Sequence, residues 1–333
     1  MKVIHFFSIH PYFLKITTRR FGKTSKSDYI QNIKQAHHGF LPNYLLGDLF
    51  KSGKLELQVI PVEMSQDIKS DFMNQYLRAE VWIFSFMDYS VDFEAISTFF
   101  KDCRRLAKEY NIKIINGTCA PRYQNKISTV GQFPLIAKPK QNGVPQKSIA
   151  QNSTFSVLWD KKQLMAWENS IADSRPLFVL EPYYANTSTD QGLYIQERWI
   201  VIFDDLTVGI RISRDNIIKR KNSMTYFLRN RASLRMDLSV LDDIYPAPDT
   251  LEHAYCDDLD LWELRYKRLA KFLNERPNME IFSLDVIFHN KDFFIVDSNE
   301  HTFEEGTKSL RALWTNILYT KLQEHTVNNN TKR

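Results

Sequence analysis
The sequence predicts an open parallel α/β region followed by an α+β region of antiparallel sheets and helices. Three observations predict it. A strand–helix–strand pattern occupies Ala79 to Gly117, and a βαβ unit implies parallel strands. After Phe133 the pattern changes to short strands separated by tight turns, the style of an antiparallel sheet. The 333 residues are 43% hydrophobic and 25% charged, enough apolar content for one large core or two ordinary ones and too much for a disordered chain.

The elements follow in chain order. Met1 to Ser8 reads as a first strand. His5, His10 and Pro11 interrupt the apolar N-terminus and no small-residue cleavage site follows, so a secretory leader is not expected. Leu55 to Val62 is a second strand, and AEVWIFSF from Ala79 a third. Asp92 to Tyr110 is a helix, with Phe93, Ile96, Phe99, Phe100, Cys103 and Leu106 at helical spacing. The strand NIKIINGT ends in the turn pair Asn116-Gly117. Next come a buried strand at Phe133–Lys138, a helix at Asp160–Ile171 and strands at Leu177–Tyr184 and Leu193–Phe203. A turn at Asp204-Asp205 leads into a strand at Thr207–Ile212. Leu259 to Asn274 is an amphipathic helix. Ile281–Phe288 and Asp292–Asp297 form a hairpin through His289-Asn290-Lys291. The polar end HTVNNNTKR is expected to be disordered. No internal repeat is present. The longest apolar runs, such as Val81 to Met87, fall far short of the ~20 residues of a membrane helix.

Composition excludes several function classes. Glycine is scarce, 10 residues in 333, where roughly 7% is usual. Neither G-x-x-x-x-G-K-[ST] nor G-x-G-x-x-G occurs, which argues against a P-loop and a standard dinucleotide fold. Cys103, Cys119 and Cys256 lack C-x-x-C spacing and read as reduced cytosolic thiols. The net charge of +5 is unevenly spread. Arg211 to Arg235 holds eight basic residues and one acid, a local charge of +7 that leaves −2 for the rest. Asp237 to Glu263 holds nine acids and no Lys or Arg. A global nucleic-acid surface is not indicated; a local anion site, or a solvated basic face beside the acidic stretch, is.

Four pieces carry chemistry together. FPLIAKP ends a strand in Lys138, and FVLEPYY ends another in Glu181. QERWIVIF opens a third with Glu197 and Arg198. The last hairpin holds Asp285, then Asp297 twelve positions on, then Asn299. Period-2 geometry puts Asp297 and Asn299 on one face of their strand. Two carboxylates and an amide oxygen form a hard-oxygen set suited to Mg²⁺.

In type, spacing and order, from roughly Asn116 to Gly306, these pieces resemble the ATP-grasp superfamily. The resemblance implies an N-terminal α/β domain at 1–118, a two-lobed ATP-grasp domain of antiparallel sheets and helices at 119–325, and a disordered tail at 326–333. It implies ATP and Mg²⁺ as cofactors. Lys138 would neutralise α/β-phosphate charge, Glu181 would meet the adenine edge, and Glu197 would accept from the ribose. Asp285, Asp297 and Asn299 would hold Mg²⁺. Arg198, with Arg211 or Arg214, would stabilise the transferring phosphoryl group. The covering loop Gln141–Ser148 holds one glycine, Gly143, so the side chains of Gln146, Lys147 and Ser148 are expected to share the phosphate contacts. Lys126 is a candidate for an earlier phosphate lysine, and Glu300 and His301 for contacts to an amine.

The reaction so implied joins a carboxylate, activated as an acyl phosphate, to an amine on a small molecule or peptide. The carboxylate and amine substrates are the expected partners, a homodimer is an allowed assembly, and neither membrane nor nucleic acid is expected. The expected compartment is the cytoplasm. Alternatives are an ATP-grasp-like nucleotide-binding protein with weak or lost catalysis, an ATP-grasp kinase acting on a hydroxyl, and an unrelated α/β protein whose basic run binds RNA.

Overall fold
The computed structural model describes residues 1–8, 41–62, 70–85, 93–116, 133–139, 156–171, 178–184, 194–213, 223–229, 259–275, 279–289, 291–299 and 308–330. The first part is an open sheet of four parallel strands: β1 (Lys2–Ser8), β2 (Glu56–Val62), β3 (Val81–Ser85) and β4 (Lys113–Asn116), in the order β2-β1-β3-β4. This is the expected βαβ unit with the first two strands added. Alternation along β1 splits its residues between two cores. Ile4 and Phe6 pack with Trp82, Phe84 and the buried side of helix α2 (Phe93–Glu109), including Phe100, Cys103 and Leu106. Val3 and Phe7 pack with Leu45, Leu46 and Leu49 of helix α1 (Leu41–Lys51). His5 lies fully buried on the same side, its Nε2 2.9 Å from Ser85 Oγ. Burial pushes its pKa down to about 3, so the ring is neutral. Cys103 is a free thiol whose pKa burial pushes up to about 12.

The second part holds two antiparallel sheets. A small one, in the order β6-β5-β7, contains β5 (Leu135–Pro139), β6 (Ser156–Leu158) and β7 (Phe178–Pro182), with helix α3 (Lys161–Ile171) beside it. The larger has five strands in the order β10-β9-β8-β11-β12. They are β8 (Tyr194–Ile202), β9 (Asp205–Ser213), β10 (Ser223–Arg229), β11 (Ile281–His289) and β12 (Asp292–Asn299). One face of this sheet is covered by helix α4 (Leu259–Glu275), whose Trp262, Leu269 and Phe272 pack against Trp199, Val208, Phe282 and Leu284.

The β8–β9 turn lies one residue earlier than expected, at Phe203-Asp204, because Ile202 pairs with Asp205. Phe203 takes a left-handed φ of +60°, unfavourable for an L-residue by roughly 1–2 kcal/mol. Its ring packs against the core and lies 5.0 Å below Lys113 Nζ, which offsets that cost.

Among the described residues some elements were not foreseen and one departs from expectation. The basic run contributes an edge strand, β10. Residues 41–51 are helical. Helix α5 spans Lys308–Asn330, so the polar end expected to be disordered is helical through position 330. The reason is anchoring: Leu310, Leu313, Trp314, Ile317, Leu318 and Leu322 are all buried, and once a helix is nucleated each further residue adds a bond at little cost.

Helix α5 joins the two parts. Its apolar side packs in one core with Leu45, Leu46 and Leu49 of α1 and with Ile200, Ile202 and Ile281 of the large sheet. Arg311 pairs with Asp48 on α1, Trp314 Nε1 donates to Thr207 Oγ1 at 3.1 Å, and Lys113 Nζ donates to the Lys321 carbonyl at 2.9 Å. The end of β4 is tied to the start of β11 as well. Glu280 N–H donates to the Asn116 carbonyl at 3.0 Å, and Asn116 N–H donates to Glu280 Oε2 at 2.7 Å. Among the described residues no helix is long and apolar enough to cross a membrane.

Glu280 gives this junction a pH dependence. Burial pushes its pKa up to about 7, against the opposing pull of the Asn116 N–H, Arg104 and Lys113. A carboxyl whose pKa is raised on folding favours the fold while protonated. That contribution is complete below the ordinary carboxylate range and is lost as pH rises through about 7. Glu280→Gln keeps an acceptor for Asn116 and removes the titration. Melting curves from pH 4 to 8 should show the variant gaining on the wild type as pH rises; a constant difference would contradict the assignment.

Candidate active site
The site is built by strand parity. On β8, Ile195, Glu197, Trp199 and Val201 face α4, so Gln196, Arg198 and Ile200 face the other way. On β11, Phe282, Leu284 and Val286 face α4, so Ser283, Asp285 and Ile287 face the other way. At one end of this second face, Ile200 and Ile281 are covered by the core around α5. Further along it stands a polar row. Gly209, Arg198, Asp285 and Asp297 are successive register partners on β9, β8, β11 and β12. The neighbouring row places Ser283 opposite Asn299, and on the other side Gln196 opposite Arg211, which is half-buried.

Arg198 and Asp285 meet directly. Arg198 Nε donates to Asp285 Oδ1 at 2.6 Å and an Nη to Oδ2 at 2.8 Å, a two-pronged pair with each side chain about 15% exposed. Two residues singled out for separate roles, one toward phosphate and one toward metal, are thus brought together.

A β-bulge decides the position of the next acid. From the hairpin turn the register runs His289–Asp292, Phe288–Phe293, Ile287–Phe294 and Val286–Ile295, and then skips Val296 so that Asp285 faces Asp297. Phe293 and Ile295 belong to the α4 core. Simple alternation would keep 297 in step with them; the extra residue moves it into the row of Asp285. Positions 285 and 297 are thus register partners on adjacent strands, with 299 opposite 283 in the next row.

Glu197 lies on the other face. It was expected at the ribose, yet its side chain is fully buried on the α4 face. Arg265 Nη2 donates to its Oε1 at 2.6 Å and Trp199 Nε1 to its Oε2 at 2.6 Å. The Arg265 guanidinium sits between the rings of Trp262 and Phe293, 4.9 and 5.0 Å from their centres. Adjacent residues of a strand cannot share a face, so Glu197 serves the α4 core and Arg198 the opposite side. Arg265 was not singled out from sequence; an arginine on the apolar side of the α4 helix was the available signal.

The small sheet meets the large one near the same row. Tyr184, just past β7, stacks on Phe294 of β12 at 4.0 Å and 19°, and its ring is 6.0 Å from that of His289. Burial and then Glu181 push the Tyr184 phenol above its ordinary range. Glu181 itself is 2% exposed at the end of β7, in register with Ile136. The aromatic patch therefore begins one row beyond Arg198 and Asp285.

Lys138 occupies β5 opposite Val179. Lys126, Lys147, Ser148, Arg214, Glu300 and His301 lie outside the described residues. Among the described residues no three His, Cys, Asp or Glu side chains cluster as a metal site.

No family model and no curated protein matches the chain. Among solved structures it is similar to D-alanine–D-alanine ligase from Bacillus anthracis, with TM-score 0.45 and 10% identity over 100% of this chain and 98% of that one. It is similar to D-alanine–D-alanine ligase from Helicobacter pylori, with TM-score 0.39 and 13% identity over 97% and 98%. It is also similar to the macrocyclase MdnC from Microcystis aeruginosa, bound with its precursor peptide MdnA, with TM-score 0.40 and 9% identity over 96% and 100%.

The buried pair is separable from the open one. Arg265→Met leaves Glu197 as an uncompensated buried charge and should cost about 3–5 kcal/mol in denaturant unfolding. Glu197→Leu with Arg265→Met should recover most of that loss. A double variant as unstable as the single one would contradict the pairing.

Proposed function
We propose that this chain is an ATP-grasp-type ligase, dependent on ATP and Mg²⁺, that joins a carboxylate substrate to an amine with release of ADP. The observation that carries the reading is the polar row on the face of the large sheet away from α4. It sets an acid at 285 in register with an acid at 297, with an amide at 299 beside them, next to a guanidinium and an aromatic patch. These are the groups that a nucleoside triphosphate and its cation need: oxygen ligands, a cation for phosphate and an apolar surface for a base.

In this reading Asp285, Asp297 and Asn299 hold Mg²⁺, whose charge would offset that of the β- and γ-phosphates. Lys138 on β5 and the side chains of Lys147 and Ser148 contact phosphate oxygens. The base lies against the segment Glu181–Tyr184 and the patch formed by Tyr184, Phe294 and His289. Arg198, with Arg211 on the same face and Arg214 beyond it, meets the charge that develops as the γ-phosphoryl group passes to the substrate carboxylate. An amine then attacks the acyl phosphate, forming the new bond and releasing phosphate. Glu197 has no part in nucleotide contact; it supports the sheet from behind. The cytoplasm, where ATP is abundant, is the proposed compartment.

Three measurements test the reading. Asp297→Ala and Asn299→Ala should each abolish the rise in melting temperature on adding Mg·ATP; retention by both would overturn the metal assignment. Lys138→Ala should weaken ATP binding at least roughly tenfold, a loss of about 1.4 kcal/mol, while Lys271→Ala on the exposed side of α4 leaves it unchanged. ADP release should require a carboxylate and an amine together. Release with a hydroxyl acceptor instead would point to a kinase, and binding without release to a protein without catalysis.

A further inference from the structure
The Arg198–Asp285 pair has a consequence for how metal reaches the site, on the reading that Asp285 is a metal-site carboxylate. Both oxygens of Asp285 accept from one guanidinium, at 2.6 and 2.8 Å, in a place where each side chain is about 15% exposed. A divalent cation arriving alone must compete with a fixed positive charge for the same oxygens. At this burial, solvent and salt screen the repulsion between the two cations only weakly. The guanidinium can leave Asp285 at low cost only if another anion of matching geometry takes it. A polyphosphate is such an anion, since its oxygens accept from arginine in the same forked manner as a carboxylate. The surroundings suit this exchange. On the side away from Asp285, the register partner of Arg198 is Gly209, a residue without a side chain. Arg211, on the same face, lies on β9 two residues beyond Gly209 and adds to the attraction for an anion there.

We propose that Arg198 is an internal counter-ion that keeps divalent cations off Asp285 until a polyphosphate takes over its guanidinium, so that metal and nucleotide bind as a coupled pair instead of metal first. Arg198 is then a positioning residue for the metal as well as a phosphate contact. The coupling is reciprocal: nucleotide strengthens metal binding by the factor by which metal strengthens nucleotide binding. Removing the guanidinium should change the two affinities in opposite directions, with tighter metal in the absence of nucleotide and weaker nucleotide. A residue that supported the site only by holding its fold together would not do this, since its loss would weaken both.

The test uses the full chain and Mn²⁺ alone, followed by the free-ion electron paramagnetic resonance signal, with no nucleotide present. Wild-type protein should bind Mn²⁺ weakly. Arg198→Gln should bind it roughly tenfold or more tighter, within the usual range of coupling between sites. Arg198→Lys keeps a charge but not the fork, so it should show a smaller gain; it decides the matter if the Gln variant does not fold. Adding Asp285→Asn to Arg198→Gln should erase the gain. No gain in either single variant, or a gain that survives Asp285→Asn, overturns the proposal. Melting of the wild type with Mg·ATP, run in parallel, separates the two levels. Stabilisation there without a gain in the variants removes only the counter-ion role. No stabilisation and no gain removes the ATP-grasp reading with it.

Discussion
Glu197 and Arg198 are neighbours in the chain and face opposite sides of one sheet, and the arrangement of the large sheet and its site follows from that. A strand residue can point to only one face. Glu197 points to α4 and is held there by Arg265 and Trp199 in a fully buried pair. With Glu197 so placed, Arg198 must stand on the opposite face, where Asp285 is its register partner. An uncompensated charge at 197 would be expensive in that core, so a register slip of β8 by one residue is disfavoured twice, by burying Arg198 and by exposing Trp199 and Val201.

The two faces of the large sheet have different duties along their length. Among the described residues the α4 face is mainly apolar, with the Glu197–Arg265 pair buried in it. The opposite face is apolar where Ile200, Ile202 and Ile281 meet α5, α1 and the parallel sheet, and again at Ile287 and Phe294 near its other end. Between these it turns polar. That division explains how one sheet can join two halves of the chain and still carry a row of charged residues. Contacts at the covered end, Trp314 to Thr207 and Glu280 to Asn116, hold the strands that carry the row. The sheet presents Arg198 and Asp285 from its two central strands, where backbone pairing on both sides restrains them most.

Much of the architecture was legible because its signals are local. The βαβ unit shows as an amphipathic helix between two apolar runs. The β8–β9 and β11–β12 hairpins show as β-rich segments around short polar turns. The elements that were not legible lack such signals. Strand β10 lies in a run of Arg and Lys that reads as a charged face, and it becomes a strand because β9 offers it an unpaired edge. Helix α5 has its apolar residues in a segment whose polar end masks it, and its core contacts come from α1 and β8, far away in the chain.

The same distinction applies to the site. By itself the sequence determined the chemical inventory: acids at 285 and 297, an amide at 299, arginines at 198 and 211, and a lysine ending a strand at 138. It could not say which of Glu197 and Arg198 faces the site, because alternation sets parity only and the choice of face depends on where α4 packs. Nor could it show that Asp297 falls beside Asp285, since simple alternation puts 297 in step with the buried Phe293 and Ile295. The bulge at Val296 changes that step, and it exists only in the pairing of two strands. Local periodicity is written into the chain; register between strands, and the helix that covers one face of them, are decided by contacts between residues far apart in it.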